Sequence, residues 1–180
     1  MTTKVVFSGF GGQGVLSMGT TLANTAMLEG KHVTYMPSYG VEVRGGTANC
    51  TVVVADEEIA SPVASEPEFV VAMNQPSFIR FQSILQSGGL LLANSSMVNT
   101  EAARRDIEII SIPTSELAES LGSIKVANMV MLGALIKASG MISFEFMVKH
   151  LSEILGEGKA KLTKLNKSAL EEGFNFVKEQ

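Results

Sequence analysis

Two stretches of this chain hold residue types at spacings that could do chemistry. The first is Gly9-Phe10-Gly11-Gly12-Gln13-Gly14, which follows the apolar run Val5-Val6-Phe7. Glycines 9, 11 and 14 fit G-x-G-x-x-G, with an extra glycine at 12. Glycine permits positive φ and lets a backbone come close to a ligand. The bare amides opening the next helix then favour an anion, such as a phosphate or a carboxylate. The same glycines also suit a plain tight turn from strand to helix. The second stretch is Pro37-Ser38-Tyr39-Gly40-Val41-Glu42-Val43-Arg44-Gly45-Gly46. If it is extended, Glu42 and Arg44 point the same way, and the glycines remove bulk beside the guanidinium. An arginine fork suits phosphate or carboxylate. A local Glu–Arg pair that orders a loop is the other use of these residues.

What is missing narrows the chemistry. A nicotinamide site needs a carboxylate about 20 positions after the glycine turn, on a ribose hydroxyl. Here the second strand runs into Pro37-Ser38-Tyr39, and no carboxylate stands there. The two histidines, His32 and His150, have no partner at metal-ligand spacing. The lone cysteine, Cys50, excludes an internal disulfide and a self-contained iron–sulfur cluster, and reads as a small buried apolar residue. There is no G-x-S-x-G, and Gly12-Gln13-Gly14-Val15 lacks the lysine of a phosphate-binding P-loop. No catalytic residue and no metal ligand is therefore assigned. The pattern is that of a binding subunit whose chemistry happens on another chain.

The elements that must position these stretches follow from periodicity. Strands are predicted over residues 4–8, 32–36, 47–55, 68–73, 89–93 and 107–112. Helices are predicted over 13–29, 76–86, 116–121 (capped by Ser115), 126–139, 143–155 and 160–178. The first unit, strand–glycine turn–helix–strand, predicts a right-handed crossover and a parallel pair. The fold class is α/β: a doubly wound, mostly parallel, Rossmann-like sheet with helices on both faces and a helical C-terminal part. Three strands end in the short polar residues Ser8, Asn74 and Asn94, which suit either helix capping or a polar crevice on the rim. The helix from Val126 is apolar nearly all round, which predicts burial on several sides: one against the sheet, the other against a second subunit. Self-pairing of the isolated chain follows from that reading.

Composition bounds the rest. The 180 residues suit one domain, 1–180, with no linker to divide it. Apolar residues make up 46% and charged residues 18%, which predicts apolar surface hidden against a partner. A net charge of −4 argues against nucleic acid as a partner. No secretory signal is visible, and the most apolar stretch, 126–138, is shorter than the ~20 residues a membrane span needs. A reducing cytoplasm is the expected compartment.

With these motifs on the page, the chain resembles a known family. The glycine turn, then Ser38 through Gly46, then Asn74-Gln75-Pro76, are similar to the gamma subunit of 2-oxoacid:ferredoxin oxidoreductases, over nearly the whole length. The resemblance is strongest to the 2-oxoglutarate enzyme, with branched-chain 2-oxoacid and pyruvate versions beside it. It implies a complex that oxidatively decarboxylates a 2-oxoacid, passes the acyl group to coenzyme A and sends electrons to ferredoxin or a similar acceptor. Thiamine diphosphate, Mg2+ and iron–sulfur clusters would belong to alpha, beta and ferredoxin-like delta partners, and no cofactor to this chain alone. Carried over by position, Gly11, Gly12, Gln13, Gly14, Glu42 and Arg44 would help form the coenzyme A region. An independent nicotinamide oxidoreductase is the alternative of another class.

Overall fold

Alternation along the first strand sets the architecture. In β1 (Thr2–Phe10), Val5 and Phe7 enter one apolar core while Val6 enters another on the opposite face. A strand buried on both faces belongs inside a sheet, and β1 lies inside one of six strands. The computed structural model describes residues 2–39, 47–63, 65–156 and 160–178. The remaining elements are α1 (Val15–Leu28), β2 (His32–Tyr39), β3 (Thr47–Ala55), β4 (Phe69–Ala72), α2 (Gln75–Phe81), β5 (Leu90–Asn94), β6 (Glu108–Ile112), α3 (Thr114–Ser120), α4 (Ala127–Ser139), α5 (Phe144–Leu155) and α6 (Ala160–Lys178). Short 3-10 turns follow α2, at Gln82–Ile84, and precede α4, at Ile124–Val126. Among the described residues no helix is long and apolar enough to cross a membrane.

The sheet order is β2-β3-β1-β4-β5-β6. The pairs β1–β4, β4–β5 and β5–β6 are parallel, whereas β3 runs antiparallel to both neighbours. The predicted direct pairing of β1 with β2 is therefore corrected. The two strands run in the same direction, but β3 lies between them, in register from Thr2↔Ala55 to Phe10↔Thr47 on one side and from His32↔Ala55 to Tyr39↔Ala48 on the other. The physical reason is the short connection between β2 and β3, which lets consecutive strands pair antiparallel without a crossover. β2 thereby becomes an edge strand and runs on to Tyr39 rather than ending at Met36. Pro37 is tolerated inside it because an edge strand can spare a donor.

Helices occupy both faces unequally. α1, α3, α4, α5 and α6 contribute to the core built on Phe7, Val52, Val71 and Leu92. On the other face α2 and its 3-10 turn cover Val6, Val70, Leu91 and Ala93. Asn74 caps α2 by accepting the Ser77 amide at 3.0 Å, with Pro76 in the first turn. Ser143 caps α5 in the same way, at 3.1 Å from the Phe146 amide, and its own amide donates to Glu29 at the end of α1. The cap expected from Ser115 is absent: Pro113 stands at the cap position of α3 without a side-chain bond.

Ten of the thirteen residues of α4 are buried. Its second apolar side meets α6 of the same chain, and this corrects the expectation of a second subunit there. Glycines make the approach possible. A Cβ at Gly133 would overlap the carbonyl of Leu170, and one at Gly173 would overlap the carbonyl of Val130. Two helix backbones thus lie directly against each other. On the other side of the core, Cys50 is fully buried, and a Cβ at Gly19 would strike its sulfur. Burial pushes the Cys50 thiol up to about 12, against the opposing pull of hydrogen bonds from the Gly19 backbone and the Tyr35 hydroxyl.

Two predictions follow from this packing. Gly173→Ala forces backbone apart from backbone and should destabilise the chain by about 3 kcal/mol, the upper end of overpacking costs; the midpoint of urea unfolding measures it. Cys50 should resist thiol reagents in the folded chain and react only after unfolding. Because the folded thiol holds its proton more tightly than the unfolded one, its contribution to stability is complete below pH ~8.5 and falls as pH rises toward about 12. A loss of stability above pH 9 that Cys50→Ala fails to reduce would contradict this.

Candidate functional site

The glycine turn lies at the carboxyl end of β1, on the rim where open α/β sheets bind ligands. Gly12 and Gly14 both have positive φ, 98° and 72°. Gly14 is also the N-cap of α1, with no side chain capping the helix amides. The neighbours of the glycines separate their roles. A Cβ at Gly9 would meet Val15 and the Gln13 amide, and one at Gly14 would strike the side chain of Asn128. A Cβ at Gly12 would meet nothing within 4 Å. Gly9 and Gly14 are therefore packing glycines, and Gly12 alone of these three opens outward. Gly11 sits half-buried in the turn between them.

Gln13 is the strut of the turn rather than a free ligand group. Its Oε1 accepts from the Phe10 amide at 2.7 Å and from Asn74 Nδ2 at 2.8 Å. Its Nε2 donates to the Met73 carbonyl at 3.2 Å and faces the Met97 sulfur at 3.3 Å. Met73 also receives Asn94 Nδ2 at 3.4 Å, and the same amide donates to Ser115 Oγ at 3.3 Å. The ends of β1, β4 and β5 are thus laced together by side-chain amides. Of the three polar strand ends, Asn94 lines the crevice. Asn74 serves as a cap and an anchor for Gln13. Ser8 is fully buried and donates to the Val71 carbonyl at 2.7 Å.

These residues enclose a hollow of about 200 Å³. Gly12 and Gln13 form one wall, Asn94 and Ser115 the floor, and Lys125, Ala127 and Asn128 the wall opposite. Asn128 Nδ2 donates to the Gly14 carbonyl at 3.4 Å, tying the start of α4 to the start of α1. α4 continues directly from the 3-10 turn Ile124–Val126, whose start Ser123 caps and whose end the Ala127 amide closes on the Ile124 carbonyl. Among the described residues one lysine and no carboxylate line the hollow. Such a lining is compatible with an anion in a chain of net charge −4. Complete ligand pockets run to about 300–1,000 Å³, so this hollow fits one part of a larger ligand. Met97 and Ile124, both roughly half exposed, form apolar lips above the polar floor.

The structure brings Gly12 and Gln13 to the hollow and packs Gly14 against Asn128, while Glu42 and Arg44 lie outside the described residues. Lys125 and Asn128 carried no signal in the sequence. They sit more than a hundred positions after the glycine turn, at the start of a helix whose pattern speaks only of burial. Among the described residues no three metal-ligating side chains cluster.

Comparisons with known proteins find related chains over nearly the whole length. The family model for pyruvate ferredoxin/flavodoxin oxidoreductase matches residues 4–176. The ketoisovalerate oxidoreductase subunit VorA of Methanothermobacter thermautotrophicus is 37% identical over 98% of this chain. This chain spans only 36% of that relative's length. The 2-oxoglutarate synthase subunit KorC of Methanocaldococcus jannaschii is 32% identical, covering 99% of this chain and 96% of its own length. The crystal structure of a keto/oxoacid ferredoxin oxidoreductase gamma subunit from Geobacter sulfurreducens superposes with a TM-score of 0.84 at 28% identity, over 99% of both chains.

Replacing Gln13 by Ala removes the acceptor of the Phe10 amide and of the Asn74 side-chain amide, and leaves the Met73 carbonyl with Asn94 as its side-chain donor. The expected cost is roughly 1–3 kcal/mol for the buried group left unpaired. Hydrogen exchange at Phe10 should rise in parallel. An unchanged unfolding midpoint would show that Gln13 does not hold the turn.

Proposed function

We propose that this chain, which belongs to the pyruvate ferredoxin/flavodoxin oxidoreductase family, serves as the gamma subunit of a 2-oxoacid oxidoreductase complex acting on 2-oxoglutarate. The observation that carries the reading is length: the relative named for 2-oxoglutarate matches end to end as a separate subunit. A branched-chain 2-oxoacid is the second reading, supported by the higher identity to the ketoisovalerate subunit. In either case the complex transfers the acyl group of the 2-oxoacid to coenzyme A, releases CO2 and passes two electrons to ferredoxin or a similar acceptor. Thiamine diphosphate with Mg2+ and the iron–sulfur clusters reside on alpha, beta and delta partners in the cytoplasm.

Binding and positioning are what this chain's own residues can do. Coenzyme A carries a diphosphate and a 3′-phosphate, and each is an anion of the size that the rim hollow admits. Gly12 lets the backbone approach such a group, and Lys125 supplies a full charge. The rest of the coenzyme extends beyond the hollow. Gly11 shapes the turn, Gln13 and Gly14 hold it rigid, and Glu42 and Arg44 on the next connection remain candidate contributors. None of the lining residues is a nucleophile paired with a base, so acid–base and redox steps fall to the partners. A nicotinamide reading lacks its ribose partner, since β2 ends in Ser38 and Tyr39.

The assembled complex tests the proposal. Gly12→Asp places a carboxylate at the open wall of the hollow. It should raise KM for coenzyme A about tenfold, the ~1.4 kcal/mol of one unfavourable contact, with KM for 2-oxoglutarate unchanged. The isolated chain should show no turnover with 2-oxoglutarate, coenzyme A and a dye acceptor. Turnover by the chain alone, or a complex that prefers 2-oxoisovalerate, would overturn the reading.

A further inference from the structure

A second groove lies outside the ligand hollow. It is a hollow of about 450 Å³ between the end of α3 and the exposed flank of α6, lined by Leu121, Gly122, Leu162, Lys164, Leu165 and Ser168. Leu162 is 52% exposed, on a helix whose other leucines turn inward, and Ile124 beside it is 49% exposed. Apolar side chains left open together on one face mark a docking surface. The groove is continuous with the anion site. A third hollow of about 250 Å³ shares Leu162 and Leu165 with it, and Lys125 and Asn128 with the anion hollow.

Charge identifies the occupant. Among the described residues no aspartate or glutamate lines any of the three hollows, in a chain with four more acidic than basic residues. Lys125 and Lys164 line them instead, and among the described residues neither ammonium is in an ion pair. A second copy of this chain fits poorly. A two-fold contact through the groove would set lysines against lysines, and a head-to-tail contact would not close. A segment with an apolar anchor flanked by carboxylates fits both the leucines and the lysines, in the manner of an amphipathic helix laid into a groove.

We propose that the α3–α6 groove seats an acidic, apolar-anchored segment of a partner chain, and that its docking completes the wall of the anion hollow at Lys125. This rests on the reading of the chain as one subunit of a complex. Because the bridging hollow shares Leu162 and Leu165 with the groove and Lys125 and Asn128 with the anion hollow, partner docking and ligand binding are coupled, and the coupling is reciprocal.

The test uses the chain and its co-expressed alpha, beta and delta partners, with assembly measured as the Kd of the immobilised chain for the remaining subunits. Leu162→Glu should weaken assembly about tenfold or more, as loss of a central anchor does. Lys164→Glu should weaken it at low salt and flatten its salt dependence. Met27→Glu, at an equally exposed methionine in the separate hollow between α1 and α5, should leave assembly unchanged. Thermal unfolding confirms that each variant folds. In the wild-type complex coenzyme A should tighten assembly. Wild-type affinity in the Leu162 variant overturns the proposal while leaving the coenzyme A reading intact. A dimer of the isolated chain that Leu162→Glu splits shows a second copy in the groove and overturns it too. A wild-type chain that never assembles removes this proposal and the functional reading together.

Discussion

The close approach of α4 to α6 is the constraint on which the rim depends. Gly133 and Gly173 let the two backbones touch, so α4 is gripped between the sheet and α6 and has no freedom to slide. Its N-terminus is thereby fixed at the height of the glycine turn. Asn128, the second residue of the helix, lies against Gly14 and bonds its carbonyl. The start of α1 and the start of α4 become one rigid corner. The packing of two helices far from the rim therefore supplies the geometry at the rim.

The amide network performs the same service from the sheet side. Gln13, Asn74 and Asn94 converge on the Phe10 amide and the Met73 carbonyl. Strand ends normally fray, since their last backbone groups lack ladder partners. Here those groups are bonded by side chains whose own ends are also bonded, which holds the turn rigid at a point where glycines would otherwise loosen it. Rigidity and openness are divided among neighbours: Gln13 and Gly14 hold, and Gly12 admits. The result is a rigid corner at the rim with one open glycine.

Several elements were legible from sequence at close to their full extent. The glycine turn between β1 and α1, the bounds of β3 and α6, the proline start and asparagine cap of α2 and the burial of α4 all come from local rules of period, capping and glycine conformation. Misreadings arose where a distant partner outweighed the local signal. Ser115 looks like a cap and instead accepts a bond from Asn94 on a neighbouring strand. β1 and β2 look like a parallel pair and are separated by β3. The all-apolar helix invites a second subunit, and α6 of the same chain covers it.

The sequence by itself determined an α/β sheet with a glycine turn at its rim, because hydrophobic period and glycine placement are properties of adjacent residues. It also determined that no acid–base or metal chemistry is written into the chain's motifs. Only the tertiary structure decided which glycine faces the ligand space, that Lys125 and Asn128 face it too, and that the hollow runs on into an apolar groove along α6. Those are relations between residues more than a hundred positions apart. They are set by which backbones can touch and which side chains must yield, and no local pattern encodes them.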